Sequence, residues 1–292
     1  MTTLAWINGK VCDARNAMVS VMDRGFLFGD GVYEAGRSYD RCFLFLEEHW
    51  RRLRSSAGKL ELPVPWSDQK LTDGLHEAAR AYGHANVCFR TVVTRGIIDS
   101  VGLHLTDTPE QTLVHLITEV PDKFEAQRKA GVKILTSSVK RNPVLAQDPN
   151  IKTSNYLNSL LACQDVKKRG VVDGILCDFR GNVTEGTNFS IFGVTKENVV
   201  ITPGLEVGIL DSITRRHVLS VASTKFAVRE AAIPLAEFQN CKEVFIVSST
   251  REIVGVSDWD GKLYSAPGEV TQFLLRLLRD EIRQYVETHP KF

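Results

Sequence analysis

The spacing of apolar and polar residues changes along the chain and predicts strands and helices in both halves. The Asn8-Gly9 turn between two short alternating runs predicts a hairpin over residues 6–11, and residues 33–45 predict two further strands. Other strands are predicted over residues 87–94, 112–118, 132–137, 174–177, 189–192, 244–247 and 253–257. Helices are predicted over residues 46–59, 67–82, 122–131, 153–169, 212–225 and 269–286. The pattern predicts a mixed α/β (α+β) fold.

The order of these elements excludes one common enzyme architecture. No regular βαβ alternation runs through either half, and no G-x-G-x-x-G sequence follows a predicted strand. This argues against a dinucleotide-binding Rossmann enzyme. The charged, polar stretch over residues 122–131 predicts a domain boundary there or slightly before it.

Composition narrows the class of protein but not the reaction. The chain has 292 residues, 43% of them hydrophobic and 24% charged, with a formal net charge of +1. That charge gives no electrostatic reason to expect nucleic acid or a membrane as partner. No apolar run is long enough to predict a membrane-spanning helix, and no signal-peptide core stands at the N-terminus. The six cysteines form no C-x-x-C pair, so we expect no metal site, no disulfide framework and a cytoplasmic location.

One lysine and one glutamate suggest a pyridoxal 5'-phosphate (PLP) enzyme. Lys152 follows an irregular Asp-Pro-Asn-Ile segment, and Glu185 opens a Glu-Gly-Thr-Asn sequence thirty-three residues later. A PLP enzyme needs a lysine amine to carry the cofactor as a Schiff base, and a carboxylate that keeps the pyridine nitrogen protonated. On its own, Lys152 would be interpreted as a solvated surface charge, and Glu185 as a turn residue.

The phosphate of PLP needs donors, and three places offer them. Residues 208–215 form a loop that becomes a helix, where free N–H groups and the helix dipole favour an anion, although a simple helix cap by Asp211 or Ser212 is the commoner arrangement. Ser249 and Thr250 end an apolar strand, where an ordinary turn is the alternative. Arg52 offers a bidentate guanidinium, although a solvated helix face is the commoner outcome.

Together these passages resemble the fold-type IV, or class IV, PLP-dependent aminotransferases, a family that includes branched-chain aminotransferases, D-amino acid aminotransferases and aminodeoxychorismate lyases. The resemblance covers nearly the whole chain. Its strongest passages, in chain order, are residues 24–34 (RGFLFGDGVYE), 148–157 (DPNIKTSNYL), 183–189 (VTEGTNF) and 212–215 (SITR).

The resemblance implies a role for each matching residue. Lys152 would form the Schiff base and move protons, and Glu185 would bind the pyridine nitrogen. Tyr156 would stand near the phenolic oxygen of the ring. The phosphate would be held by Arg52, Ile213, Thr214, Ser249 and Thr250.

The resemblance also implies a fold and an assembly. It implies a smaller N-terminal α/β domain over residues 1–120, a connection over 121–131 and a larger C-terminal pseudobarrel domain over 132–292, with PLP between the domains of a homodimer. Its substrates would be small molecules, an amino acid and a keto acid.

The substrate pocket departs from the family pattern. Arg90 matches an arginine of the branched-chain enzymes, but Cys88 replaces their tyrosine two residues earlier. Residues 97–104 lack the arginine of the D-amino acid enzymes. The candidates for the substrate carboxylate are Arg37, Arg90 and Arg95, each of which has a structural alternative as a partner of Glu34 or Asp99, and Tyr33 is a candidate for lining the side-chain pocket. A second departure lies at Asp211, which we expect to face away from the phosphate and cap its helix.

Four functions remain open at this stage. The first is transamination between a branched-chain or other hydrophobic amino acid and 2-oxoglutarate, by a ping-pong mechanism. The second is D-amino acid transamination, the third is aminodeoxychorismate lyase activity, and the fourth is PLP binding with little turnover. Retention of both Lys152 and Glu185 argues against the fourth, because a binding protein needs no electron sink.

Overall fold

The chain folds as two compact units in a computed structural model that describes residues 3–104 and 110–292. The first unit contains Met1–Val120, Ile151–Asn155 and Gln284–Phe292, and the second contains Pro121–Asn150 and Tyr156–Arg283. The division falls after residue 120, but the short segment that carries Lys152 and the end of the chain belong to the first unit rather than to residues 132–292. Residues 121–131, expected to be a connection, belong to the second unit and contain a helix.

The described residues of the first unit form a six-stranded antiparallel sheet in the order β2-β1-β6-β5-β3-β4. The strands are β1 (Leu4–Ile7), β2 (Lys10–Asp13), β3 (Gly31–Tyr39), β4 (Cys42–Phe43), β5 (Val87–Thr94) and β6 (Thr112–Glu119). Asn8 and Gly9 both adopt positive φ and close the β1–β2 hairpin, as predicted.

The helices of this unit are α1 (Arg24–Phe28), α2 (Leu46–Lys59) and α3 (Asp68–Tyr82). Helices α2 and α3 pack against the sheet, α2 on β3 and α3 on β1 and β6. The Ser67 side chain caps α3 by accepting a hydrogen bond from Lys70 N, as predicted. Trp50 and Leu53 of α2 and Leu71 of α3 pack with Phe89 of β5 in the core of this unit.

The described residues of the second unit form a nine-stranded mixed sheet in the order β12-β11-β10-β13-β14-β7-β8-β9, with β15 paired to β14. Its strands are β7 (Val132–Thr136), β8 (Asp173–Cys177), β9 (Val183–Gly186), β10 (Ser190–Val194), β11 (Val200–Pro203), β12 (Val228–Ala231), β13 (Glu243–Ser248), β14 (Glu252–Trp259) and β15 (Lys262–Leu263). Strand β9, at one end, contacts β10 and β11 near the other end, so the sheet curls on itself.

Helices flank this sheet. They are α4 (Lys123–Ala130), α5 (Leu157–Lys168), α6 (Ile213–Ser223), α7 (Leu235–Gln239) and α8 (Glu269–Thr288). A buried apolar cluster including Ile134, Phe238 and Trp259 fills the unit. None of the helices in the described ranges combines the length and apolar character needed to cross a membrane.

The predicted helix over residues 153–169 was wrong at its start, because α5 begins at Leu157. Thr153 instead forms an antiparallel bridge with Val32 of β3, and its hydroxyl donates to the Gly31 carbonyl at 2.9 Å. Tertiary bonds to β3 therefore replace the first helical turn. The sequence patterns also left out α1, α7, β9, β11, β12 and β15.

Candidate active site

Lys152 lies beside β3 in the first unit, in a segment outside the regular strands and helices. The Tyr33 amide donates to the Lys152 carbonyl at 2.9 Å, and the Lys152 amide donates to Ser56 Oγ of α2 at 3.1 Å. The backbone of Lys152 is thus fixed on both sides. Its half-buried amine, Nζ, donates to the Tyr33 hydroxyl at 3.1 Å. This lysine is a positioned amine, whereas a solvated surface charge would have no such fixed partners.

Tyr33 joins Lys152 to one of the predicted substrate arginines. The Arg90 guanidinium carbon lies 3.7 Å from the centre of the Tyr33 ring, and Lys152 Nζ lies 4.3 Å from the same centre. Such cation–π contacts orient a cation on an aromatic ring. Arg90, Tyr33 and Lys152 therefore form one group, here called the tyrosine cluster.

The other two predicted substrate arginines have different surroundings. Arg37 is buried over the Tyr39 ring at 4.3 Å and stands directly across the strand pair from Cys88. Burial raises the pKa of the Cys88 thiol from 9.0 to about 11. Arg95 donates through Nε to Asp30 at 2.8 Å and through its other nitrogens to the carbonyls of two residues in the α2–α3 connection. These contacts favour the structural alternative for Arg95.

Arg52, a predicted phosphate ligand, is held by a buried carboxylate. Its Nε and Nη2 donate to the two oxygens of Glu34, each at 2.7 Å, and His49 Nδ1 lies 2.6 Å from the same carboxylate. Burial alone would raise the pKa of Glu34, but Arg52 and His49 outweigh it and lower the pKa from 4.5 to about 2. Burial lowers the pKa of His49, with Glu34 opposing it. Glu34 is therefore anionic, and it orients Arg52 rather than a substrate arginine.

Glu185 lies at the end of β9, in the second unit, and is paired with an arginine that the sequence patterns did not single out as a site residue. Arg141 Nη2 lies 2.6 Å from Glu185 Oε1, and the Leu210 amide donates to Oε2 at 3.2 Å. Arg141 Nε also donates to the Gly208 carbonyl at 3.3 Å. The carboxylate therefore accepts from a guanidinium and a backbone amide, one on each oxygen.

The predicted phosphate residues of the second unit meet at the start of α6. Thr214 Oγ1 and Ser249 Oγ lie 3.2 Å apart, although they are separated by thirty-five positions in the chain. Ile213 is the first residue of α6 and is buried, and Thr250 lies half-buried in the turn after β13. Two hydroxyls at a helix N-terminus form an arrangement that suits an anion.

The cap of α6 corrects one expectation. Ser212, not Asp211, is the N-cap, and its hydroxyl accepts from the Arg215 amide at 3.3 Å. The Asp211 carboxylate instead pairs with Arg216 at 2.8 Å. Its charge is thus offset by an arginine on the same helix. Tyr156, predicted to stand near the cofactor ring, is half-buried at the N-cap of α5.

Comparison with known proteins settles the family. The family model described as amino-transferase class IV matches residues 31–259 of this chain. The chain belongs to the class IV aminotransferases. This class IV aminotransferase is 35% identical over 278 residues to a protein of Methanocaldococcus jannaschii, and the match covers 94% of this chain and 95% of that protein. The relative is itself only provisionally assigned as a branched-chain-amino-acid aminotransferase.

Other relatives of this class IV aminotransferase carry different activities. It is 31% identical to a D-alanine aminotransferase of Bacillus licheniformis, covering 94% of this chain and 95% of the relative. It is 27% identical to an aminodeoxychorismate lyase of Bacillus subtilis, covering 97% and 96%. Likeness of sequence therefore places the chain among aminotransferases without choosing a substrate.

The fold of this class IV aminotransferase is also found in solved structures. The branched-chain aminotransferase of the archaeon Thermoproteus uzoniensis, solved with norvaline, matches with a TM-score of 0.88 and 27% identity, covering 97% of this chain and 95% of that one. The predicted fold-type IV architecture is confirmed, as is the prediction that the chain is an enzyme of this family.

Proposed function

We propose that this aminotransferase is PLP-dependent and moves an amino group between a branched-chain or other hydrophobic amino acid and 2-oxoglutarate in a ping-pong reaction. Each half-reaction exchanges an amino group for a keto oxygen, so neither an oxidant nor a reductant is required. The observation that carries the proposal is the Lys152 amine, which a fixed backbone and the 3.1 Å hydrogen bond to Tyr33 hold in one position.

The residues present suit PLP. Glu185 is held by Arg141 and a backbone amide, and a carboxylate fixed in this way can accept a hydrogen bond from a pyridine nitrogen. The paired hydroxyls of Thr214 and Ser249 at a helix N-terminus suit a phosphate. Arg52 is oriented by Glu34 as a further phosphate ligand. We assign supporting phosphate contacts to Ile213 and Thr250, and a contact with the ring oxygen to Tyr156.

When bound, PLP supplies a carbonyl carbon for the amino group and a ring that withdraws electrons from the substrate carbon. Lys152 would be the residue that bonds to the cofactor, and its Nζ would carry a proton during the exchange. The Tyr33 hydroxyl accepts a hydrogen bond from this amine and so restricts where Nζ can deliver that proton. A substrate held by its carboxylate would meet this amine in a fixed orientation.

Arg90 is our candidate for the substrate carboxylate among the three arginines. It shares the Tyr33 ring with Lys152, whereas Arg95 is engaged by Asp30 and two carbonyls. A guanidinium matches a carboxylate with two parallel hydrogen bonds. We place Arg37 second, and Tyr33 as the aromatic wall of the side-chain pocket.

D-amino acid transamination is the second candidate, supported by the 31% identity to a D-alanine aminotransferase. Two observations rank branched-chain amino acids above D-amino acids as substrates. The relative with 35% identity is assigned to branched-chain amino acids, and residues 97–104 contain no arginine. Lyase activity on aminodeoxychorismate is a third candidate, since that relative covers nearly the whole chain.

We also propose that the enzyme is a homodimer. Several large apolar side chains stand exposed on the single chain, including Met18, Phe26, Leu103, Leu145 and Leu157. Apolar surface of this kind is the usual material of an interface between subunits. Sedimentation of the purified protein tests this, and a monomer at micromolar concentration would contradict it. The cytoplasmic location stays a prediction.

The first test concerns Lys152. Purified protein mixed with PLP should be yellow, with an absorption band at the violet end of the visible spectrum. This band should shift when an amino donor is added and return when 2-oxoglutarate is added. Lys152→Ala should lose turnover by at least about a thousandfold, because it removes the bonding and proton-carrying amine. The control is Lys129→Ala, which removes an exposed lysine of α4 and should leave turnover unchanged. Wild-type turnover in Lys152→Ala would assign the role to another lysine.

The second test concerns the substrate. Single half-reactions with L-leucine, D-alanine and an aromatic amine as donors should give the fastest spectral shift with L-leucine. Rapid reaction with D-alanine and none with L-leucine would reverse the ranking. Arg90→Ala should raise KM for the donor by about a hundredfold, since it removes a charged bidentate contact, and unchanged KM would return Arg90 to a structural role.

A further inference from the structure

A buried guanidinium in the second unit connects the two segments that carry the proposed cofactor contacts. Arg251 directly follows Ser249 and Thr250 in the turn between β13 and β14. Its Nη1 and Nη2 donate to the two oxygens of Asp173 at 2.9 and 2.8 Å. Nη2 also donates to Asn188 Oδ1 at 2.9 Å. Both charged residues are buried, with 7% and 5% of their surface exposed for Arg251 and Asp173.

Each partner of Arg251 leads to the segment of Glu185. Asn188 lies three residues after Glu185, in the turn between β9 and β10. Asp173 begins β8, and the carbonyl of the next residue, Gly174, accepts from the Thr187 amide at 3.0 Å. The Gly186 amide in turn donates to the Phe189 carbonyl at 2.8 Å, which closes the turn that follows Glu185. The guanidinium therefore holds the Glu185 turn through both of its flanks.

The other end of Arg251 holds the hydroxyl turn. The Arg251 amide donates to Ser248 Oγ at 3.3 Å, and its carbonyl accepts from Arg128 at 3.3 Å. Ser249, two residues before Arg251, meets Thr214 of α6. Because the main chain and the side chain of Arg251 are both fixed, the turn cannot shift without breaking a buried ion pair.

Stability alone gives little reason for such a network. A buried ion pair loses hydration, and replacement by apolar residues of similar volume is often neutral or stabilising. What the pair supplies is a fixed geometry, since a planar guanidinium donates its hydrogen bonds only in defined directions. The two groups whose spacing it fixes are the Glu185 carboxylate and the hydroxyls of Thr214 and Ser249.

We propose that Asp173, Arg251 and Asn188 form a positioning network that sets the distance between the phosphate-binding hydroxyls and the Glu185 carboxylate. This inference rests on the proposed function, because it takes both groups to contact the same PLP molecule. A ligand with both a ring nitrogen and a phosphate needs that distance to be right, whereas a ligand without the phosphate does not. The network thus selects for the phosphorylated form of the cofactor.

The test compares binding of PLP with binding of pyridoxal, which lacks the phosphate, by absorbance titration of the apoprotein. Arg251→Lys keeps the positive charge but removes the planar guanidinium that donates to both oxygens of Asp173. Asn188→Ala removes one hydrogen bond and leaves the ion pair in place. Each should weaken PLP binding by about tenfold or more, as expected for loss of a hydrogen bond to a charged group. Pyridoxal binding should change by less than about threefold, so the affinity ratio of the two ligands falls.

Arg24→Lys is the matched control, since Arg24 is a buried arginine of the first unit with a carboxylate and two carbonyls as partners. It should lower the melting temperature of the apoprotein and leave the affinity ratio unchanged. If Arg251→Lys folds poorly, Asn188→Ala decides the matter. A wild-type ratio in Asn188→Ala and Arg251→Lys would overturn the positioning network. Failure of the wild-type protein to bind PLP would instead overturn the proposed function.

Discussion

Replacement of Glu34 by glutamine should destabilise the first unit strongly. Glu34 is completely buried, and its two oxygens accept from Arg52 Nε and Nη2 while His49 Nδ1 lies at 2.6 Å. Glutamine has the same shape but no charge, so the half-buried Arg52 guanidinium would lose its ion pair with Glu34. Breaking a buried ion pair by removing one partner costs about 3–5 kcal/mol.

The lowered pKa of Glu34 gives a second value for the stability that this ion pair contributes. A fall from 4.5 to about 2 corresponds to about 3 kcal/mol of stability, at 1.36 kcal/mol per pKa unit. Because the folded-state pKa is the lower one, this contribution is present above pH 4.5 and is lost as the pH falls towards about 2. The lowered pKa of His49 acts in the same direction, since stability then falls as the pH drops below 6.5.

Urea unfolding of the apoprotein measures this, followed by tryptophan fluorescence. Three of the four tryptophans, Trp6, Trp50 and Trp66, lie in the first unit. Glu34→Gln should lower the free energy of unfolding by about 3 kcal/mol at pH 7 and flatten its dependence on pH between 5 and 3. Glu125→Gln, which removes an exposed carboxylate that pairs with Arg128, should cost less than about 1 kcal/mol. Parallel pH profiles for Glu34→Gln and the wild type would refute the buried ion pair as the cause.

Three further substitutions or treatments have defined outcomes. Arg141→Gln removes the charged partner of Glu185, so PLP affinity in an absorbance titration should fall about tenfold, and an unchanged affinity would remove Arg141 from the site. Gly96→Ala should lower stability by about 1–2 kcal/mol in thermal unfolding, because φ is +96° and a Cβ would meet the Glu110 carbonyl oxygen. Cys88 should react with iodoacetamide about a hundredfold faster at pH 10 than at pH 8, measured by peptide mass spectrometry, since its pKa is about 11.

The limits of prediction from this sequence can be seen at Glu34. The sequence patterns suggested Glu34 as a partner of Arg37, Arg90 or Arg95, yet it binds Arg52. Side chains of a strand alternate in direction, so Tyr33 and Arg37 of β3 point to one face and Glu34 to the other. Residues His49 and Arg52 share a helix face at a spacing of three. The periodicities of β3 and α2 are therefore compatible with the observed pairing of Glu34 with Arg52 and His49. Predicting that pairing would also have required knowing that α2 covers this face of the sheet.

Other parts of the site depend on contacts that no local pattern encodes. Arg141 meets Glu185 across forty-four positions of the chain, from an irregular segment without strand or helix. The Thr214–Ser249 contact requires the end of β13 to meet the start of α6. Local elements such as the Asn8-Gly9 hairpin and the Ser67 cap were predicted correctly, because their turn and capping bonds connect neighbours in sequence.

The position of Lys152 follows from the edge of β3. Strand β3 pairs with β5 along one edge, whereas β4 covers the other edge only at Ser38 and Tyr39. The open part of that edge takes the Lys152 segment through the bridge of Val32 with Thr153. The amine thereby reaches Tyr33 on one face of the sheet, while the next residue, Glu34, directs Arg52 from the opposite face. Strand β3 thus positions, through Tyr33 and Glu34, the amine and the arginine that we propose as cofactor contacts. A one-residue shift in the register of β3 would exchange the faces of Tyr33 and Glu34 and break both contacts.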